Sequence, residues 1–380
     1  MWHRAKVGIL GLSLLWAQEE VYTRLIFYEE LLDRYFRIHA WSKDVFTTRP
    51  DTVIFLQVSE RLPELRRFSR LEGLFLSDLD EVDLPQLVGQ LRAYCPKLRI
   101  LALENCDIQD PRPLTTLKLE GLLLDGNPIS DFSSLNELRT LQFFSAARTP
   151  LQAIDFLANL PKLQALDLSE TPIKDLRPLA ALPSPLRMIS LFRCNGISDF
   201  SPLLRHTGLE YLNLSHTAPA AARPLLLELH RFPTLRVLQA QNLIYDSAVL
   251  ERISQLVHLE ELTIGQNPFI TRLDFVRPLQ RLLYLDVHRC NIQNLEPLAD
   301  LPNLVKLSIG KNRITQLAPL VRCVRLSYLY CYENPITDWE KLLELPALSY
   351  VMISRRDLPP ERLSALKAKL LRKGVKLEAM

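Results

Sequence analysis

The chain has 380 residues, of which 48% are hydrophobic and 23% are charged, and its formal net charge is +3. So small a positive excess gives no support for binding nucleic acid or an anionic membrane surface. The six cysteines are too few and too scattered for a disulfide framework, and no CxxC or HxxxH spacing indicates a metal site.

The first 17 residues have the anatomy of a secretory signal. Arg4 and Lys6 precede an apolar run over residues 7–16, and Ala17 is followed by polar residues. The run is too short to span a bilayer, which takes roughly 20 residues. We therefore expect residues 1–17 to be a signal peptide cleaved after Ala17, which predicts a secreted, cell-surface or periplasmic protein. The alternative is that these residues form a buried part of an N-terminal cap, as in a cytoplasmic protein.

The following segment changes to helical spacing. Apolar and aromatic residues recur at steps of four and three at Val21, Leu25, Tyr28, Leu32 and Tyr35. We expect residues 18–50 to form a helical cap, because the end of a repeat array otherwise exposes its core and an unpaired sheet edge.

Residues 51–358 form a repeat array of about 13 units. The clearest stretch, Leu282–Leu348, has the pattern LxxLxLxxNxIxxL three times at a spacing of 22 residues. A fixed period of this length indicates stacked units, since one unit cannot bury its apolar side alone. The strand signatures begin at Leu71, Leu98, Leu119, Leu138, Leu163, Leu186, Leu209, Leu235, Leu259, Leu282, Leu304, Leu326 and Leu348.

This pattern resembles that of leucine-rich repeat proteins. The 22-residue period with LxPLxxLP is most similar to the internalin and phosphatase-regulator-like class, and the lead-in from Pro50 to Leu76 resembles that of secreted bacterial members. The resemblance implies an α/β repeat solenoid: a horseshoe with a parallel β-sheet on the concave face and short helices or 3-10 turns on the convex face. It also implies that Cys106, Cys194 and Cys290, which occupy the Asn slot of the pattern, point into the core.

Three later segments have helical spacing. Ala222–Phe232 and Asp246–His258 fall between strands, and the second has an Asp N-cap. Residues 359–380 place leucines on one face after two prolines and stop at Gly374. We expect this last segment to be a C-terminal helical cap followed by a short strand.

No motif of catalysis is present. The chain lacks GxGxxG, GxxxxGK[ST] and GxSxG. His288 is two residues from Cys290, but we expect His288 on the concave wall and Cys290 in the core. We therefore predict no catalytic residue, no cofactor and no metal site.

The concave wall carries the candidate binding residues. The main group is Tyr284, His288, Arg289, Lys311, Tyr328, Tyr330, Tyr332, Tyr350 and Arg355, and a second group is Phe144, Phe192, Arg193 and Tyr211. Tyr and Arg are enriched among the residues that dominate protein interfaces, although Tyr also suits any solvated sheet face. We predict a monomeric, non-catalytic module that binds a protein or peptide on its concave face. The alternatives are an intracellular scaffold that regulates an enzyme such as a phosphatase, and a carbohydrate- or cell-wall-binding surface protein.

Overall fold

A computed structural model describes residues 55–59, 62–80, 82–244 and 246–380. The expected signal peptide and N-terminal cap, residues 1–50, lie outside the described residues.

The described residues form one 15-stranded parallel sheet in which each strand pairs with the strands before and after it in the chain. This order confirms the predicted solenoid of stacked repeats. The strands are β1 Phe55–Val58, β2 Gly73–Ser77, β3 Ile100–Glu104, β4 Gly121–Leu123, β5 Phe143–Ser145, β6 Ala165–Asp167, β7 Met188–Ser190, β8 Tyr211–Asn213, β9 Val237–Gln239, β10 Glu261–Thr263, β11 Tyr284–Asp286, β12 Lys306–Ser308, β13 Tyr328–Tyr330, β14 Tyr350–Ile353 and β15 Lys376–Ala379.

Helices and 3-10 turns form the convex row. The α-helices are α1 Leu84–Tyr94, α2 Arg177–Ala180, α3 Pro219–Leu227, α4 Ser247–Ser254 and α5 Pro360–Arg372. The 3-10 turns are Leu65–Arg67, Arg112–Thr116, Ser133–Glu137, Asp155–Asn159, Ser201–Arg205, Leu229–Arg231, Asp274–Val276, Glu296–Asp300, Ala318–Arg322 and Trp339–Leu343. The expected cap at α4 is present, because the side chain of Asp246 accepts a hydrogen bond from the backbone N–H of Val249 at 3.2 Å.

Strand register decides which side chains reach the concave wall. The central residues Leu285, Leu307 and Leu329 lie opposite one another in β11, β12 and β13 and are fully buried between the sheet and the convex row. The residue before this central position forms the first row of the wall, and the residue after it forms the second row. A third row follows two residues further on. At β11 the first row is occupied by Tyr284 and the second by Asp286, and the third is occupied by His288, two residues after the strand ends.

The buried asparagines join each repeat to the one before it. Oδ1 of Asn267 accepts hydrogen bonds from the backbone N–H groups of Leu243 at 2.8 Å and Ile244 at 2.7 Å. Its Nδ2 donates to the carbonyl oxygens of Ala240 at 3.0 Å and Ile264 at 2.8 Å. One amide therefore satisfies backbone groups of two neighbouring turns that no water reaches.

The residue before the Asn slot turns the chain away from the wall through a left-handed backbone conformation. Its φ lies between +51° and +59° at Asp78, Asn105, Arg148, Glu170, Arg193, His216, Asn242, Gln266, Arg289, Lys311 and Glu333, and Gly126 has φ +68° at the same position. Non-glycine residues rarely adopt this region. Its recurrence from repeat to repeat shows that stacking, rather than local preference, imposes the conformation.

The predicted start of one repeat at Leu138 was wrong by three residues. Leu141, not Leu138, precedes β5 by two positions, so Phe144 is the central core residue, opposite Leu122 and Leu166. Phe144 is fully buried in the core and is not a wall residue. The error arose because LRTLQF, starting at Leu138, matches the spacing of LxxLxL, with Phe in place of the last Leu. An odd shift exchanges the two faces of a strand.

We predict that Asn267→Ala lowers the free energy of unfolding by about 2 kcal/mol or more, because two buried backbone N–H groups lose their acceptor. Urea denaturation monitored by circular dichroism measures the change. Asn195→Ala, at an exposed position, is the control and should change stability by less than about 0.5 kcal/mol. Equal stabilities of the two variants would contradict the joining role of Asn267.

Concave wall as the candidate functional site

Five wall side chains near the C-terminal end of the sheet form one cluster, which we name the C-terminal patch: Tyr284, Lys306, Tyr328, Tyr330 and Tyr350. Lys306 Nζ lies 4.6 Å from the ring centroid of Tyr284 and 5.5 Å from that of Tyr330. The ring centroids of Tyr330 and Tyr350 are 5.6 Å apart, and those of Tyr328 and Tyr350 are 6.3 Å apart. Cation–π and ring contacts therefore hold the patch together.

The next strand completes the patch. The hydroxyl of Tyr350 donates to Glu378 Oε2 at 3.0 Å, and Lys376 Nζ lies 5.7 Å from the Tyr350 ring centroid. Burial and the hydrogen bond with Glu378 raise the pKa of Tyr350, and burial raises the pKa of Tyr330 to about 12. Both phenols are therefore protonated at neutral pH and can act as hydrogen-bond donors.

Two glycines in the third row make room for rings of the following repeat. A Cβ on Gly310 would meet ring carbons of Tyr332 at 2.5 Å, and a Cβ on Gly265 would meet Nδ1 of His288 at 2.3 Å. Tyr332 and His288 thus lie against backbone and cover it. These close approaches explain why glycine occupies the third row there.

His288 and Asp286 form a buried pair on the wall. Nδ1 of His288 is 2.8 Å from Asp286 Oδ1, and the backbone N–H of His288 donates to the same oxygen at 3.0 Å. Burial alone would raise the pKa of the Asp286 carboxyl. The charge of His288 and the hydrogen bonds outweigh burial and hold that pKa below its ordinary value. Asp286 therefore remains a carboxylate inside the wall.

The predicted cationic residues lie at the rim of the patch. Arg289, Lys311 and Arg355 follow the third row, where the chain leaves the sheet. Lys311 Nζ is 3.3 Å from Glu333 Oε1, and Arg355 Nε donates to the carbonyl oxygen of Ala379 at 3.3 Å. These cations border the patch rather than occupy its centre.

Apolar side chains line much of the remaining wall, a feature missed by the sequence reasoning. We name these side chains the wall cluster; it is separate from the main core, and its members are buried: Ile100, Ala102, Leu123, Phe143, Ala165, Met188, Tyr211, Val237 and Tyr284. Most of them occupy the first row, and Phe55 and Phe75 pack against the cluster. Over this stretch the wall is therefore a packed apolar surface with little exposure to solvent.

A polar network runs beside the wall cluster. Ser169 Oγ is 2.5 Å from Asp167 Oδ1 and 2.8 Å from Ser190 Oγ, to which Asn213 Nδ2 donates at 3.1 Å. The backbone N–H of Ser215 donates to Asn213 Oδ1 at 3.0 Å. All five side chains are buried. The second and third rows are therefore joined across three consecutive strands.

The second predicted group is not an open aromatic surface. Phe144 belongs to the core, as described above. Phe192 lies on the wall but is fully buried, with the Arg193 guanidinium carbon 4.9 Å from its ring centroid and the His216 ring edge-on at 5.5 Å. Tyr211 is 2% exposed within the wall cluster. The sequence pattern predicted that Phe192 and Tyr211 lie on the concave face of the sheet, but it did not predict that they are buried.

The cysteines show no sign of nucleophilic chemistry. All six are free and buried, including Cys95 and Cys323, for which the sequence pattern predicted no burial. Burial raises the pKa of Cys95 to about 11 and that of Cys290 to about 12. A nucleophilic cysteine requires a thiolate, which these environments disfavour.

Two further features are absent from the part of the chain that the structure describes. No group of three or more His, Cys, Asp or Glu side chains there is placed to hold a metal ion. None of the helices described is both long and apolar enough to cross a membrane.

Comparisons with known proteins agree with the architecture. The family model described as Leucine Rich repeats (2 copies) matches residues 280–322. An internalin from Listeria monocytogenes superposes with a TM-score of 0.57 at 25% sequence identity, covering 77% of this chain and 84% of that one. A leucine-rich repeat protein from Leptospira interrogans has a TM-score of 0.54 at 18% identity, covering 90% of this chain and all of its own. No curated protein matches the chain in sequence.

The burial of the cysteines predicts their reactivity. We expect six free thiols to be titrated by a disulfide reagent in denaturant, with or without prior reduction, and reaction to be slow in the native protein because the thiols are buried and protonated. A count below six without reductant would show a disulfide and contradict the structure.

Proposed function

Since the chain is a leucine-rich repeat protein, we propose that its concave wall binds a protein or peptide, with the C-terminal patch as the principal contact. The observation that carries this proposal is the position of Lys306 between the rings of Tyr284 and Tyr330, beside Tyr350. Tyrosine rings offer large contact area at low entropic cost, with a hydroxyl for directional bonding.

The proposed role is recognition and not catalysis. Support comes from the state of the groups that catalysis would use: the cysteine thiols are buried with raised pKa values, and the pair formed by His288 and Asp286 is buried inside the wall. Cys290, two residues after His288, belongs to the core between the sheet and the convex row and is therefore poorly placed to attack a substrate on the wall.

The size of the patch suits a modest interface. The patch and its rim extend over β11 to β15, and neighbouring strands lie about 4.8 Å apart, so the contact is roughly 20 Å wide. An interface of standard size needs about 800 Å² on each partner. The wall cluster, which begins at Tyr284 and continues toward β3, adjoins the patch, but its members are buried and add little exposed area.

We predict that replacing both Tyr330 of the patch and Tyr332, its neighbour in the third row, with Ala weakens binding of a partner isolated by pull-down by about 2 kcal/mol or more. Calorimetric titration measures the change. Neither ring belongs to the core between the sheet and the convex row, so the melting temperature should change little.

The matched control for this variant is Leu329→Ala, one residue away in the same strand. Leu329 is fully buried, so this change should destabilise the fold by about 2–5 kcal/mol. Unchanged affinity in the double tyrosine variant would refute the role of the C-terminal patch. A glycan array with the same variant tests the carbohydrate alternative.

We also propose export, on the basis of the basic and apolar residues that precede Ala17. Mass spectrometry of the protein recovered from its native cell should then find Gln18 as the first residue, in a fraction outside the cytoplasm. Intact Met1 or Trp2 on cytosolic protein would contradict export and favour the intracellular scaffold.

A further inference from the structure

Positive charge exceeds negative charge on the C-terminal patch and its rim. The relevant positions are the three wall rows from β11 to β15 and the turn residue that follows each third row. The cations at these positions are Arg289, Lys306, Lys311, Arg355 and Lys376, and the carboxylates are Asp286, Glu333 and Glu378.

The three carboxylates are already bonded to neighbours in the same surface. Asp286 is buried and lies 2.8 Å from Nδ1 of His288. Glu333 Oε1 is 3.3 Å from Lys311 Nζ. Glu378 Oε2 is 3.4 Å from the ammonium group of the same strand and accepts the hydroxyl hydrogen bond of the patch described above. The surface therefore offers a partner more positive charge than negative charge.

Two exposed arginines at the rim carry the charge that is best placed for a partner. Arg289 and Arg355 are both exposed, and neither forms an ion pair with another of the described residues. Nε of Arg355 donates to the carbonyl oxygen of Ala379 at 3.3 Å, which fixes the guanidinium and leaves its other N–H groups for further acceptors. Such a fork binds a carboxylate through two parallel hydrogen bonds.

The spacing of these arginines fits an extended peptide. Arg289 follows β11 and Arg355 follows β14, so three strand spacings, roughly 14 Å, separate them. An extended chain advances by about 3.4 Å per residue, so about four residues cover this distance. Because alternate side chains of an extended chain point to the same side, the first, third and fifth side chains of such a peptide would all face the wall.

An aromatic ring lies between the two arginines. Tyr332, in the third row after β13, is half-buried, and its ring lies against Gly310, in the third row after β12. The ring is therefore beneath the middle of a peptide that joins Arg289 to Arg355, and it offers an apolar contact there. Glu333 lies at the rim beside it and disfavours a carboxylate at the middle position.

We propose that the segment recognised by the wall is an extended acidic peptide. Two carboxylates about four residues apart bind Arg289 and Arg355, and an apolar side chain midway between them packs on Tyr332. This inference rests on the proposed function and names the chemistry of its partner. Recognition depends on the spacing of the two carboxylates and not on total negative charge, because Glu333 opposes a third carboxylate between them.

Selection of random peptides displayed on phage, with the full chain immobilised, tests the motif. Enriched peptides should carry Asp or Glu at two positions about four residues apart, with an apolar residue midway. The variant Arg289→Glu with Arg355→Glu should instead enrich Lys or Arg at these two positions, because the charges of the rim are reversed. The control is Arg148→Glu, at the equivalent exposed turn position after β5, which should enrich the same acidic peptides as the unmodified chain.

The decisive step is a charge exchange with the most enriched peptide, made synthetically and followed by fluorescence anisotropy. Its Kd should rise at least about tenfold for Arg289→Glu with Arg355→Glu. Replacing its two acidic residues with Lys should restore binding to this variant and abolish binding to the unmodified chain. All three side chains changed in these variants are exposed, so equal melting temperatures of the variants and the unmodified chain are expected.

The outcomes separate this inference from the proposed function. Enriched peptides that lack the spaced carboxylates but lose binding to the Tyr330 and Tyr332 double variant would overturn the acidic motif and leave the C-terminal patch as the binding site. Enriched peptides that bind the double tyrosine variant unchanged would count against both. Failure to enrich any peptide would overturn the motif, whereas the pull-down of a partner would still decide the proposed function.

Discussion

The register in which the repeats stack is the constraint on which the other features depend. Leu285, Leu307 and Leu329 must lie opposite one another for each strand to bury its apolar side, since no single repeat has a core of its own. Asn267 and its counterparts add hydrogen bonds between adjacent turns at a constant position after each strand. Side chains alternate along a strand, so the same register places Tyr284, Lys306 and Tyr328 side by side on the wall.

This register gives the concave wall two parts that differ in chemical composition. The first row from β3 to β11 is largely apolar, and the rows beside it contain carboxylates, serines and amides bonded to one another. At β12 the first row changes to Lys306, and the tyrosines of β13 and β14 follow. One rigid sheet thus presents an apolar, acidic stretch and an aromatic, cationic end.

The parts that sequence could predict are those where spacing is regular. The 22-residue period from Leu282 to Leu348 correctly placed Leu285, Leu307 and Leu329 of β11, β12 and β13 in the core. At Leu138 the spacing is irregular, and LRTLQFF fits the consensus in two registers three residues apart. Only packing of Phe144 against Leu122 and Leu166 selects between them. Periodicity also predicts which face of the sheet Phe192 lies on. It does not predict the contacts of its ring with Arg193 and His216, which come from the turns beside the strands.

The backbone conformation of the turns could not be predicted from the local sequence either. Arg193, Arg289 and Lys311 adopt left-handed φ values for which their side chains have no preference. The conformation results from the neighbouring repeats, which accept the hydrogen bonds of the turn. For Arg289 and Lys311 the consequence is that this turn sets their side chains at the rim of the patch instead of on the wall.

Site-specific photo-cross-linking in the native cell tests the central claim, that the C-terminal end of the concave wall recognises another protein. A photoreactive phenylalanine analogue is placed at Tyr330 and, in a second variant, at Phe269, which is 46% exposed and lies off the sheet. We expect the variant with the analogue at Tyr330 to form a discrete adduct with one other protein, and the variant with the analogue at Phe269 to form none. An adduct formed from Phe269 alone would place recognition away from the wall and contradict the account.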